Sequence, residues 1–213
     1  MNVNEVKKSI YNLKKTKFGF SVPEIRKLAM KGAKSDYKSF LDSDNGDDFW
    51  LKIYHAFLIG YINDDINILL QYFEKFMPSV DDWAVNDSLC QNFRHAKKYQ
   101  KEVWEFLMKY KNSKKEFEVR IVAVMLLSHF LNDEYIDKVI KVLDGLYTDS
   151  YYSRMGVAWA IATVVAKYPD KGMAYLKSKN NLESWTYNKS LQKIRESFQV
   201  SGEIKEMTKR MKK

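Results

Sequence analysis

Phe49-Trp50-Leu51-Lys52-Ile53, Glu118-Val119-Arg120-Ile121 and Tyr152-Ser153-Arg154-Met155 each open an apolar run that closes on a polar turn, at Asn63-Asp64, Asn132-Asp133 and Pro169-Asp170. Laid over one another they share one frame, and Asp87 stands at the corresponding point of the unit between the first two. The steps from Lys52 to Asp87, Arg120 and Arg154 are 35, 33 and 34 residues. Apolar residues recur at helical spacing almost throughout, so each unit reads as an apolar helix, a short turn and a second apolar helix. Such a pair cannot bury its face alone. Stacked pairs can, which predicts an all-α, α-α superhelical solenoid with a concave face. Lys52, Asp87, Arg120 and Arg154 then line that face, with Trp83 one turn before Asp87 and Trp159 five residues after Arg154. The rival is an irregular helical bundle in which the spacing is coincidence.

Punctuation along the chain agrees with helices. Ser21-Val22-Pro23-Glu24 predicts a helix start with Ser21 as N-cap, Pro23 in the first turn and Glu24 reaching back. Asp47-Asp48, Asp64-Asp65 and Asp81-Asp82 place carboxylates where a helix dipole favours them. Only 8 Gly and 3 Pro among 213 residues leave little material for a many-stranded sheet or a glycine loop around phosphate, so no sheet is expected. The length fits one domain spanning 1–213, with a basic tail from about residue 201.

The net charge is +9, of which the tail carries +3, so the body is basic in its own right. That balance suggests a polyanionic partner, nucleic acid being the usual one, against the plain alternative of a lysine-rich soluble protein. Cys90 is alone and sits within an apolar pattern, which reads as core rather than nucleophile. His55, His95 and His129 lie apart from Cys or carboxylates at ligand spacing, so neither a metal nor a cofactor is expected. No stretch reaches membrane-spanning length, and the chain reads as a cytoplasmic monomer without membrane contact. His95 lies in the basic run Arg94-His95-Ala96-Lys97-Lys98, open to reading as a solvated helix end or as a phosphate contact.

Trp83, Asp87, Arg120 and Trp159 form the constellation with chemistry in it. An N3- or N7-alkylated purine is cationic and its glycosidic bond is already weak. An aromatic wall attracts that ring. A carboxylate near the sugar stabilises the positive charge that develops as the bond breaks and can orient water. An arginine can grip the neighbouring phosphate. Singly, each residue has a structural alternative: the tryptophans as core, Asp87 in an ion pair with Arg94 or a neighbouring arginine, Arg120 as a ladder residue between repeats. Candidate phosphate contacts are Lys52, Arg120, Arg154, Lys189 and Lys193.

Asp82-Trp83-Ala84-Val85-Asn86-Asp87-Ser88, Val119-Arg120-Ile121-Val122-Ala123 and Val157-Ala158-Trp159-Ala160-Ile161 resemble, in order and local context, the cleft segments of the AlkD-like alkylpurine DNA glycosylases. Phe18-Gly19-Phe20-Ser21-Val22-Pro23-Glu24-Ile25-Arg26 is similar to that family's Leu-Gly-x-x-x-Pro-x-x-Arg segment. The resemblance runs from about Phe18 to about Phe198. It implies a HEAT-like array with double-stranded, alkylated DNA on a basic concave face, and excision of N3- and N7-alkylpurines by Asp87, Trp83, Arg120 and Trp159. Active members generally carry two helices ahead of the Leu-Gly segment; Met1–Lys17 has room for one. That departure implies a shorter branch with weak or absent excision. The alternative is a non-catalytic HEAT-like scaffold that binds DNA structures or a protein.

Overall fold

A computed structural model describes residues 2–17, 19–44 and 46–213. Expectations that touch Met1 and Phe18 lie outside the described residues. The chain packs as two compact units, Met1–Val103 and Trp104–Lys213.

The first unit begins with α1 (Val3–Tyr11), opened by a reciprocal capping box between Asn2 and Glu5. Two short strands follow, β1 (Lys15–Thr16) pairing antiparallel with β2 (Gly19–Phe20). This pairing is a departure from the sheet-free expectation, and Gly19 is the reason. Its φ of 104° suits glycine, and a Cβ there would collide with the Trp50 indole. The chain continues through α2 (Val22–Gly32), α3 (Lys38–Leu41), α4 (Phe49–Tyr61), α5 (Ile66–Phe76) and α6 (Trp83–Asn92), with 3-10 turns at Met77–Ser79 and Arg94–Lys97. Asp48, Asp65 and Asp82 are N-caps whose carboxylates accept first-turn N–H groups. Ser21 occupies the N-cap of α2, but its hydroxyl makes no capping bond. The N–H of Glu24 is taken by the Ser21 carbonyl instead, at 3.0 Å.

α4 is the axis of this unit. Every residue from Leu51 to Gly60 is buried, because α2 packs on one side and α6 on the other. A helix covered on two sides loses its polar face, hence an apolar run interrupted only by Lys52 and His55. Phe57, Phe73 and Phe93 are almost fully enclosed, each contributing about 1.5–3 kcal/mol by burial. Gly60 allows α4 to approach the backbone carbonyl of Asn92 at the end of α6 directly; a Cβ would overlap it.

α7 (Gln100–Met108) contains the division between the units. The second unit holds α8 (Glu116–His129), α9 (Ile136–Gly145), α10 (Tyr151–Lys167), α11 (Pro169–Lys177), α12 (Ser184–Glu196) and α13 (Gly202–Lys209). Here α10 is the axis, packed between α8 and α12 and against α9 and α11. The basic tail is folded: Ser201 caps α13, which packs on α12, and the Lys213 ammonium donates to the carbonyls of Asn180 and Leu182. The fold is an all-α helical repeat. Among the described residues no helix is long and apolar enough to cross a membrane.

Candidate nucleic-acid interface

In the first unit the features gather at the start of α6. Asp82 accepts the Ala84 N–H at 2.7 Å and fixes where the helix begins. Val85, Leu89 and Cys90 are fully buried and anchor its inner side. Trp83 consequently stands 51% exposed, a large apolar surface left in water. Asp87, one turn further along the same side, is half-buried. Cys90 is core, as its pattern indicated.

Lys52 lies in the same unit but does not offer its charge outward. It is 4% exposed, and its ammonium sits 2.6 Å from Asp47 and 2.8 Å from Asp81. Burial alone would lower its pKa, but hydrogen bonds to the two carboxylates outweigh that and hold it above the ordinary lysine value. The acidic residues that mark the starts of α4 and α6 therefore close on this cation, against its expected use as a phosphate contact. Arg94 lies over the Tyr61 ring at 4.4 Å and donates to its hydroxyl at 3.1 Å. His95 is half-buried beside Phe93, and burial pushes its pKa below the ordinary value. That shift works against a cationic phosphate contact at this residue. Lys97 and Lys98 of the same run are exposed.

The second unit holds Arg120, Arg154, Trp159, Lys189 and Lys193. Arg120 is 6% exposed; its Nη1 donates to the Tyr152 carbonyl at 3.1 Å. Gly156 makes room for it, since a Cβ there would sit 3.2 Å from the Arg120 Cγ. Glu116 accepts the Tyr152 N–H at 2.6 Å, and Phe117 stacks on the Tyr152 ring with centroids 5.5 Å apart. The start of α10 is thus tied to α8 by polar and aromatic contacts together.

Beside it lies a basic–aromatic ladder that sequence reasoning found only in part. The Arg154 guanidinium is 5.5 Å from the Trp185 ring centroid and the Lys189 ammonium 5.3 Å from it. Tyr151, 58% exposed, meets Trp185 edge-on at 6.0 Å. Arg154 and Lys189 were expected; Trp185 and Tyr151 were missed. A signal for Trp185 existed: Glu183-Ser184-Trp185 repeats the acidic-cap-then-tryptophan opening of Asp82-Trp83. Burial pushes the Glu183 carboxyl up, but hydrogen bonds from Thr186 and the Trp185 N–H, with Arg154 nearby, outweigh it and leave the pKa below the ordinary value.

Trp159 is half-buried further along α10. With Leu127, Thr163, Lys193 and Phe198 it lines a cleft of about 500 Å³. Phe198 at its rim is fully exposed. The structure therefore places Trp83 and Asp87 together in one unit, and Trp159 and Lys193 together in the other, with Arg120 beside the ladder. Among the described residues, no group of three or more His, Cys, Asp or Glu could hold a metal ion.

The family model described as DNA alkylation repair enzyme matches residues 8–194. The chain belongs to the DNA alkylation repair enzyme family. No curated protein and no solved structure matches it significantly. As a member of this AlkD-like family, the chain carries Trp83, Asp87, Arg120, Trp159 and the whole ladder inside the matched span, while Phe198 and α13 lie beyond it.

Proposed function

We propose that this protein binds double-stranded DNA and releases positively charged N3- and N7-alkylpurines from it by hydrolysis of the glycosidic bond. The observation that carries this reading is the half-exposed Trp83 indole one helical turn from Asp87, in a chain of the alkylation-repair family. Trp83 and Trp159 are assigned as aromatic walls for the cationic base. Asp87 is assigned to the sugar: it stabilises the oxocarbenium-like charge and orients the water that adds to C1′ as the base leaves neutral. The alkylated base departs without a strong acid, so the reaction needs no metal or cofactor. Arg120, anchored to Tyr152, is the candidate clamp on the adjacent phosphate, and Arg154, Lys189 and Lys193 the sequence-independent backbone contacts. The site of action is cytoplasmic DNA and the working unit a monomer.

The test is mass-spectrometric detection of bases released from methylated duplex DNA. Wild-type protein should release N3-methyladenine or N7-methylguanine and leave an abasic site without strand cleavage. Asp87→Asn should lose about 100-fold or more in rate while keeping DNA affinity. Equal, background-level release by both proteins overturns the catalytic reading and leaves a second one, a non-catalytic DNA-binding repeat protein. The low exposure of Arg120 is the observation that favours this second reading, since it suits a residue tying α8 to α10.

A further inference from the structure

Away from the residues assigned to DNA, the second unit has another cleft of about 480 Å³, lined by one side of α9 and by α7 and the turn after it. Trp104, Met108 and Lys111 recur at i, i+4 and i+7 along the first wall. Lys138, Lys141, Val142 and Gly145 recur at i, i+3, i+4 and i+7 along the second. Both stripes therefore face the same gap. Its floor is apolar, and the indole is held in place by rings behind it: Phe130 at 5.4 Å and Tyr135 at 5.1 Å. Its rim is cationic. No acidic side chain lines the cleft, and among the described residues Lys111, Lys138 and Lys141 have no carboxylate within ion-pair distance. The contrast is on α9 itself, where Asp137 is spent outside the cleft on Lys171, at 2.6 Å.

Three ammonium groups without a carboxylate partner, Lys138 resting over the Tyr135 ring at 4.8 Å, surround an aromatic and aliphatic floor and suit a ligand that is flat and apolar at one end and multiply anionic at the other. A volume in the usual small-ligand range admits such a molecule. We infer that this cleft binds a phosphorylated nucleoside, with the base against Trp104, Met108 and Val142 and the phosphates on Lys111, Lys138 and Lys141. Asn112 also lines the cleft, and its amide carries both a donor and an acceptor for a base edge. The same chemistry comes from a free nucleoside triphosphate or from a nucleotide of a single strand, where stacking and backbone charge combine in the same way.

Calorimetric titration of the full chain with ATP, adenosine, tripolyphosphate and a five-residue deoxyadenosine strand tests the assignment. ATP should bind one to one, at least tenfold tighter than adenosine or tripolyphosphate, because each of those satisfies only half of the cleft. Gly145→Leu fills the mouth without changing charge, and a Cβ at Gly145 meets nothing within 4 Å, so folding should be unaffected. It should weaken ATP at least fivefold, and Lys138→Glu at least tenfold, with duplex DNA affinity changed less than twofold. The tighter of ATP and the strand identifies the source of the nucleotide. Equal binding of ATP and tripolyphosphate, or ATP affinity untouched by Gly145→Leu, overturns the site. Neither result bears on excision by Asp87, which is read separately.

Discussion

α4 and α10 occupy the same architectural position in their respective units, and their cations meet opposite fates. Each is the central helix, buried on two sides and apolar almost all round. Each carries a basic residue in its first turn, Lys52 or Arg154, facing the start of the next first helix in its stack. For Lys52 that neighbour presents Asp81, and the charge is neutralised in a pair of ion bonds. For Arg154 the neighbour presents the Trp185 ring, 5.5 Å from the guanidinium, with the Glu183 carboxylate nearby but forming no ion pair with it. Repeat position thus decides where a side chain points, while the identity of one facing residue decides whether its charge remains available. The glycines differ in the same way: Gly60 meets backbone, and Gly156 meets the flexible stem of Arg120.

The glycine contrast supports the largest expected effect. Gly60→Ala should destabilise by about 3 kcal/mol or more, since α4 and α6 must move apart, whereas Gly156→Ala should cost about 1 kcal/mol or less. Urea denaturation of the two variants measures this, and equal losses would break the comparison. Next comes pH. His55 in α4 stacks on Phe76 at 4.0 Å, and burial, with Lys75 nearby, depresses its pKa from 6.5 to about 3. The folded state keeps this imidazole neutral while the unfolded chain protonates it. The stabilisation is therefore intact above pH 6.5 and is lost as pH falls towards 3. Between pH 7 and 5 the loss is about 2 kcal/mol. Thermal melts should show a slope steeper by that amount in wild type than in His55→Phe.

Smaller effects concern the two cations themselves. Arg154→Ala and Trp185→Ala should each weaken duplex DNA binding about fivefold at low salt, about 1 kcal/mol, and Arg154→Ala should also lower the salt slope by about one. Anisotropy titrations at several salt concentrations read both quantities. Smallest of all, Lys52→Met should leave DNA affinity unchanged and alter stability by less than about 1 kcal/mol, because Asp47 and Asp81 remain hydrated when their partner is removed. A DNA-binding loss on Lys52→Met as large as that of Arg154→Ala would erase the distinction between α4 and α10.

Much of this was legible in the chain. The spacing of Lys52, Asp87, Arg120 and Arg154 marks four first helices, and Asp48, Asp65 and Asp82 mark three starts, because capping and apolar periodicity are local properties that a linear pattern carries. The pairing of Lys15–Thr16 with Gly19–Phe20 was not legible, since the Trp50 ring packed against Gly19 comes from a distant part of the chain. Trp185 and Tyr151 were missed because the ladder joins two helices: Arg154 and Tyr151 of α10 meet the Trp185 ring of α12 only once the chain is folded. The sequence by itself determined the helices, their pairing into repeats, the basic balance and the family. Only the tertiary structure decided that Lys52 is buried between carboxylates, that burial lowers the His95 pKa and that Arg154 stays beside an aromatic face. Charge availability depends on desolvation and on partners distant in the chain, and neither is written in local spacing.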